Sequence, residues 1–200
     1  MAIWRFVARA WLAIRVELVS GRGEHLWPRP SRTFAAARTH SFSQLAEAID
    51  TAFARWDRAH LYQFVLGDGR AIGQPDPDDF DEEELIDGER AKLSILTPGE
   101  QFLYEFDFGD GWLHLCTVGT VQIDPDSQLG IRPATPLPYD GWGTMPDQHG
   151  RRRAEDDGET GRTTEPWHER PATPPPHLEL TTARSAPIGA MREFRVIAPA

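Results

Sequence analysis

The chain has 200 residues, of which 40% are hydrophobic, so it can bury the core of one ordinary domain and still leave a tail. Its single cysteine, Cys116, excludes an intramolecular disulfide and a cysteine-based zinc cluster. The formal net charge is −10, but residues 1–60 carry nine Arg against five acidic residues, whereas residues 61–140 carry four basic against seventeen acidic residues. The acidic middle disfavours broad nonspecific nucleic-acid binding, and the basic first third leaves a local nucleic-acid patch open as one functional hypothesis.

Charged residues interrupt the apolar N-terminus. Arg5, Arg9, Arg15 and Glu17 divide it, and the longest uncharged piece, residues 10–14, is far shorter than a secretory core or a membrane span. We therefore expect a cytoplasmic protein without a membrane partner.

Two strands are predicted before the first helix. Apolar side chains occupy alternate positions over residues 12–19, which is the period of a half-buried strand. After the turn-forming glycines and prolines, residues 32–38 predict a second short strand around Phe34.

A helix is predicted over residues 41–58. Ser41 can cap it, with Gln44 completing a variant of the capping box. The apolar residues recur at helical spacing and form one stripe that ends at Trp56, whereas the polar residues Glu47, Asp50 and Arg55 are expected to face outward. Such a helix packs its stripe on a sheet.

An aromatic-rich hairpin is the strongest β signal. Residues 60–66 predict a strand that ends at a Gly-Asp-Gly turn, and residues 102–108 alternate aromatic with other side chains. A second Gly-Asp-Gly turn leads into a return strand, on which Trp112, His114 and Cys116 share one face. Cys116 is expected to be a small buried hydrophobic residue.

Two segments predict little packed structure. Residues 76–84 are densely acidic but lack the ligand ladder and central glycine of an EF-hand loop, so a solvated charge run is favoured. From residue 154 the chain is polar and rich in proline, which favours disorder. The prediction is a single α+β domain, residues 1–153, with an antiparallel sheet packed on helices, followed by a disordered tail, residues 154–200.

Three short motifs contain most of the residues capable of site chemistry. They are Trp-Asp-Arg-Ala-His-Leu at 56–61, Tyr-Glu-Phe-Asp-Phe-Gly-Asp-Gly-Trp-Leu-His at 104–114, and the glycine-rich segment at 141–151. At these positions the chain resembles the Ri-plasmid pRiA-type open-reading-frame-three-like family, also described as insertion-element TnpR-associated proteins. The third motif departs from the usual Pro-Pro-Glu-Asp form and indicates a divergent branch. The resemblance implies a compact α+β domain and supplies no catalytic residues.

Two readings of these motifs remain open. In the first, the domain is a non-catalytic binding or accessory module without a cofactor, whose partner is an unknown protein or small molecule. Its groove would be lined by His60, Trp112, His114 and Trp142. In this reading, residues of the three motifs also have structural roles as turn caps and core aromatics.

In the second reading, histidines and aspartates converge on a divalent metal that activates water for hydrolysis. The metal ligands would be His60, His114 and Asp110. Across both readings the candidate site residues are His60, Asp107, Asp110, Trp112, His114, Trp142, Asp147 and His149.

Overall fold

A computed structural model describes residues 11–75 and 85–151 of the chain. The predicted acidic run at 76–84 and the predicted disordered tail at 154–200 lie outside the described residues, as do residues 1–10. The architecture below concerns the described parts alone.

One sheet dominates the described residues. Its strands are β1 (Trp11–Gly21), β2 (Glu24–His25), β3 (Ser31–Ala37), β4 (Tyr62–Val65), β5 (Ala71–Gly73), β6 (Ile86–Asp87), β7 (Gln101–Phe106), β8 (Trp112–Val118) and β9 (Leu137–Trp142). They lie in the order β6-β5-β4-β7-β8-β1-β3-β9, and β2 pairs with β1. All pairs are antiparallel except β5–β6, which is parallel.

Helical structure is sparse in the same residues. It comprises α1 (Phe42–Ala52), the short α2 (Pro125–Leu129) and a 3-10 turn at Leu93–Ile95. The predicted single domain with a mostly antiparallel sheet is therefore present, but it is richer in β structure than the α+β class that we expected. Within the described part of the chain, no helix is long and apolar enough to cross a membrane.

Helix α1 covers one face of the sheet through the predicted apolar stripe. Phe42, Leu45 and Ile49 are fully buried, and the Phe42 ring lies edge-on to Phe64 of β4 at 5.1 Å between centroids. At the helix start, Ser41 Oγ accepts a hydrogen bond from the Gln44 N–H, and the Gln44 side chain accepts one from the Ser41 N–H, which completes the predicted capping box.

The end of α1 differs from the prediction of a helix that continues to residue 58. Phe53 is the C-cap, and Ala54 takes a left-handed φ of 57°, so the chain leaves the helical path there. This turn reverses two predicted orientations, because Arg55 is 1% exposed whereas Trp56 is 50% exposed. Asp50, also expected at the surface, is buried and accepts a hydrogen bond from the Tyr104 hydroxyl at 2.7 Å.

The predicted hairpin is confirmed as β7 and β8. Tyr104 pairs with His114 and Phe106 with Trp112, and the face that carries Trp112, His114 and Cys116 is buried. The turn begins at Asp107, whose φ of 56° is unusual for a residue with a side chain. This places Asp107 and the turn that follows it at the end of the sheet where the loop after α1 also arrives.

Candidate functional site

Two histidines and three aspartates form a linear cluster at this end of the sheet. Asp57 and His60 come from the loop after α1, Asp107 and Asp110 from the β7–β8 turn, and His149 from the segment after β9. We call these five residues the carboxylate–imidazole chain.

The two imidazoles share the central carboxylate. His60 Nε2 lies 3.5 Å and His149 Nε2 lies 3.7 Å from Asp57 Oδ2. Each ring then presents its other nitrogen to an outer carboxylate, since His60 Nδ1 is 3.5 Å from Asp107 Oδ2 and His149 Nδ1 is 3.7 Å from Asp110 Oδ2. The order along the cluster is therefore Asp107, His60, Asp57, His149 and Asp110.

The inner three residues match the requirements of a metal site. One ligand atom from each of Asp57, His60 and His149 lies within 4.8 Å of the other two. Ligand atoms roughly 2.0–2.2 Å from a tetrahedral ion stand roughly 3.3–3.6 Å apart, close to the observed nitrogen–oxygen separations. An outer carboxylate on the second ring nitrogen is the usual partner of a histidine that binds a metal.

The cluster is partly accessible to solvent, but one of its candidate ligand atoms has no hydrogen-bond partner in the described part of the protein. The side chains of His60, Asp57 and His149 are 33%, 35% and 29% exposed, so each is partly accessible to solvent. The His60 Nε2 atom is itself buried and has no hydrogen-bond partner among the described residues. The Asp57 carboxylate is held in its charged form, because the hydrogen bond from the Ala59 N–H and the nearby imidazoles lower its pKa.

Asp107 joins the hairpin turn to His60. Its Oδ1 accepts hydrogen bonds from the backbone N–H groups of Gly109 at 3.1 Å and Asp110 at 3.3 Å, which leaves Oδ2 directed at the imidazole. The Gly111 N–H also donates to the Asp107 carbonyl. The turn thus fixes both outer carboxylates of the cluster.

Gln148 fastens the loop after α1 to the segment that carries His149. This side chain is fully buried; its Oε1 accepts from the N–H groups of Trp56 and Asp57, and its Nε2 donates to the Asp57 carbonyl, each at 2.9 Å. The two segments are more than ninety positions apart in sequence, so this contact sets the distance between the two imidazoles.

Aromatic and basic side chains form the rim beside His149. Trp56 packs edge-on against the His149 ring at 4.9 Å, and the Arg151 guanidinium lies 3.9 Å above the Trp56 ring. Asp147 accepts hydrogen bonds from the backbone N–H groups of His149 and Arg151 and is paired with the Arg151 side chain. Asp147 therefore shapes the segment and does not enter the central cluster.

Besides Asp147, three of the predicted site residues stand apart from this cluster. Trp112 and His114 are 2% and 0% exposed within the core, so they do not line the predicted surface groove. His114 lies against Phe53 at 4.8 Å, and burial, followed by the charge of Arg55, lowers its pKa to about 3. Trp142 is exposed on β9, at the far edge of the sheet order.

The structure consequently changes the predicted metal set. His60 stays among the candidate ligands and is joined by Asp57 and His149, whereas His114 lies in the core and Asp110 faces the outer nitrogen of His149. Sequence reasoning overlooked Asp57 and Gln148 as site residues. The spacing of Asp57 and His60 within one motif was a usable signal for the first, whereas nothing local distinguished Gln148.

Comparisons with known proteins agree on the family and leave its activity open. The chain is 33% identical over 94 residues to the uncharacterised protein y4hQ of Sinorhizobium fredii (strain NBRC 101917 / NGR234), a match that spans 46% of each chain. Its fold resembles the crystal structure of a protein of unknown function, MM3350 from Methanosarcina mazei Go1, with a TM-score of 0.51 and 21% identity over 66% of this chain and 68% of the other. The family of plasmid pRiA4b ORF-3-like proteins matches residues 12–149, which contain the whole carboxylate–imidazole chain, and this protein belongs to that family.

Proposed function

We propose that this domain is a metal-dependent hydrolase whose divalent ion is bound by Asp57, His60 and His149. The observation that supports it is the convergence of both Nε2 atoms on Asp57 Oδ2, with a second carboxylate behind each ring. Two imidazoles and one carboxylate suit zinc, manganese or iron(II).

Charge supports the presence of a cation. Asp57, Asp107 and Asp110 gather three carboxylates around two imidazoles in a partly exposed cluster. Carboxylates gathered in one cluster repel each other, and a divalent ion among them would relieve the repulsion and provide a partner for the buried His60 Nε2.

The partial exposure of the cluster and its three candidate ligands support catalysis rather than a purely structural ion. Structural zinc sites use four protein ligands, whereas catalytic sites use three and leave a position for water. An ion held by Asp57, His60 and His149 would supply the activation of water that hydrolysis of an ester, an amide or a phosphoester requires. The exposed Trp56 and the partly exposed Arg151 form a rim against which an organic or anionic substrate could be placed.

The first test is the metal content of untagged protein by mass spectrometry, before and after loading with zinc, manganese or iron(II). We expect near-stoichiometric metal in the wild type and in His25→Ala, a matched control because His25 is exposed on β2. His60→Ala and His149→Ala should each lose the ion. Equal metal content in all four proteins, or none in the wild type after loading, would contradict the proposal.

The second test separates hydrolysis from metal binding alone. The loaded protein is assayed against ester, amide and phosphoester substrates, and turnover should disappear in His149→Ala and persist in His25→Ala. Stoichiometric metal without turnover would instead support the non-catalytic binding module, for which the exposed Trp142 on the edge strand β9 is the favouring observation.

The cellular setting belongs to the same proposal. The plasmid in the family's description supports a bacterial protein that acts in the cytoplasm beside mobile DNA elements. Its partner would be an unidentified small molecule or protein rather than nucleic acid in general, since the middle of the chain is strongly acidic.

A further inference from the structure

A second group of polar atoms lies inside the core, behind the carboxylate–imidazole chain. It consists of Arg55 Nε, Nη1 and Nη2, Trp112 Nε1 and His114 Nε2, all buried and without a hydrogen-bond partner among the described residues. We call these atoms the buried nitrogen cluster. The three side chains are neighbours, because the Arg55 guanidinium lies 3.6 Å above the Trp112 ring and Trp112 and His114 share the buried face of β8.

A buried guanidinium without an acceptor carries a large energetic penalty. Arginine does not escape this cost by losing its proton, because a guanidinium stays charged near neutral pH, and the carboxylates of Asp50, Asp147 and Asp110 favour that charged form. Each of these carboxylates is engaged elsewhere. Asp50 accepts from the Tyr104 hydroxyl, Asp147 binds its own segment, and Asp110 faces His149.

The orientation of Arg55 is fixed by its surroundings. The left-handed Ala54 turns the chain inward, and the Arg55 N–H donates to the Asp50 carbonyl at 2.8 Å. On the other side, Trp112 packs against Gly21 so closely that a Cβ on that glycine would stand 2.1 Å from Trp112 Cε3. The guanidinium and the indole therefore form a built arrangement, and not one rotamer of a mobile side chain.

The chemistry of these atoms specifies a ligand. A guanidinium offers a planar fork of N–H donors that matches the oxygens of an oxyanion, and the indole N–H adds a further donor. His114 Nδ1 faces the Tyr104 carbonyl at 3.3 Å, so in the neutral ring the proton belongs on Nδ1 and Nε2 is an acceptor. A matching ligand has several acceptor oxygens and one hydroxyl.

We propose that Arg55, Trp112 and His114 form an internal binding site for a small oxyanion that carries a hydroxyl group, of the hydrogenphosphate or bicarbonate type. The anion would accept hydrogen bonds from Arg55 and Trp112, donate one to His114, and neutralise the buried charge. This site does not depend on the proposed metal centre.

The test is thermal unfolding of the full chain in inorganic phosphate, compared with chloride at equal ionic strength and near neutral pH. A chelator is present throughout, so that phosphate bound to a metal does not contribute. The informative variant is Arg55→Met, which keeps an unbranched, flexible side chain and removes the guanidinium charge. The control is Arg90→Met, since the Arg90 side chain is 89% exposed.

We expect a saturable rise in the melting temperature with phosphate in the wild type and in Arg90→Met, and at least a tenfold loss of phosphate affinity in Arg55→Met. Sulfate, which has no hydroxyl near neutral pH, should stabilise the wild type less than phosphate does. An equal rise in all three proteins, or no rise beyond that in chloride, would overturn the proposal and indicate that water satisfies these atoms.

Trp112→Phe keeps the test decisive if Arg55→Met does not fold. This variant retains an aromatic ring, removes the indole N–H donor and leaves the charge of Arg55 in place. Phosphorus NMR titration should then show phosphate binding that is several-fold weaker than in the wild type. Unchanged affinity would overturn the assignment of Trp112 to the site.

Discussion

The carboxylate–imidazole chain and the buried nitrogen cluster use similar side chains under opposite conditions of burial. His60 and His149 are about one-third exposed and lie between carboxylates, whereas His114 is fully buried beside the cation of Arg55. We propose a cation for the first arrangement and an anion for the second. The comparison teaches that the surrounding charges and burial, rather than the residue type, decide what each histidine can bind.

The largest expected effect is a contrast in metal binding and stability between one histidine variant from each region. His149→Ala should abolish metal binding, measured by mass spectrometry, while changing the free energy of unfolding by less than about 1 kcal/mol, since its side chain is at the surface. His114→Ala should retain the metal and lower the stability by about 2–4 kcal/mol, because it leaves a cavity beside Phe53 and Tyr104. Loss of the ion in His114→Ala, with the fold intact, would restore the metal set predicted from the sequence.

The pH dependence of stability tests the buried region. Burial raises the pKa of Asp50 to about 6, above its ordinary value of 3.8, although the Tyr104 hydroxyl opposes the shift. Because the pKa of Asp50 is raised on folding, its contribution to the free energy of unfolding is fully present below pH 3.8. That contribution is lost as pH rises through about 6. Relative to Asp50→Asn, the free energy of unfolding of the wild type should fall by on the order of 3 kcal/mol as pH rises across this window. Denaturant unfolding of both proteins checks this, and parallel pH profiles would contradict it.

Gln148→Ala tests whether one buried amide holds the two segments of the metal site together. The substitution removes the acceptor for the Trp56 and Asp57 N–H groups, so we expect a loss of about 1–3 kcal/mol in unfolding free energy together with weaker metal binding. The control is Gln128→Ala, because Gln128 is exposed on α2. A loss of stability without weaker metal binding would show that Gln148 does not set the separation of the ligands.

The outer carboxylates should have the smallest effect. Asp107→Asn and Asp110→Asn each keep a similar shape but weaken the interaction with the second ring nitrogen, and we expect a decrease in metal affinity of about 10–100-fold. Competition with a chromophoric chelator measures it. Glu105→Gln, on β7 beside the same turn, serves as a control. Unchanged affinity in both aspartate variants would remove the outer carboxylates from the site.

Much of the fold was predictable because its signals are local. The alternating aromatic residues and glycines define the β7–β8 hairpin, and Ser41 with Gln44 defines the start of α1. The end of α1 was not predictable from periodicity. Trp56 continues the apolar stripe, yet the left-handed turn at Ala54 exposes it and buries Arg55.

The residue types of the candidate site were predictable from the sequence, but the particular residues that form it were not. His60, His149, Asp107 and Asp110 stood out in the motifs, and residue types alone indicated a metal or binding site. Spacing along the chain does not show which face of a strand meets a distant loop, so His114 could not be separated from His149.

By itself, the sequence determined one domain with an aromatic antiparallel hairpin, a capped helix and a family membership, because alternation, capping and motif spacing act between neighbours in the chain. Only the tertiary structure decided that Asp57 stands between two imidazoles and that Arg55 lies on Trp112. Both arrangements arise where the loop after α1 meets the β7–β8 hairpin, and the carboxylate–imidazole chain also requires the segment after β9. Their distances depend on long-range packing and on burial, which no local pattern encodes.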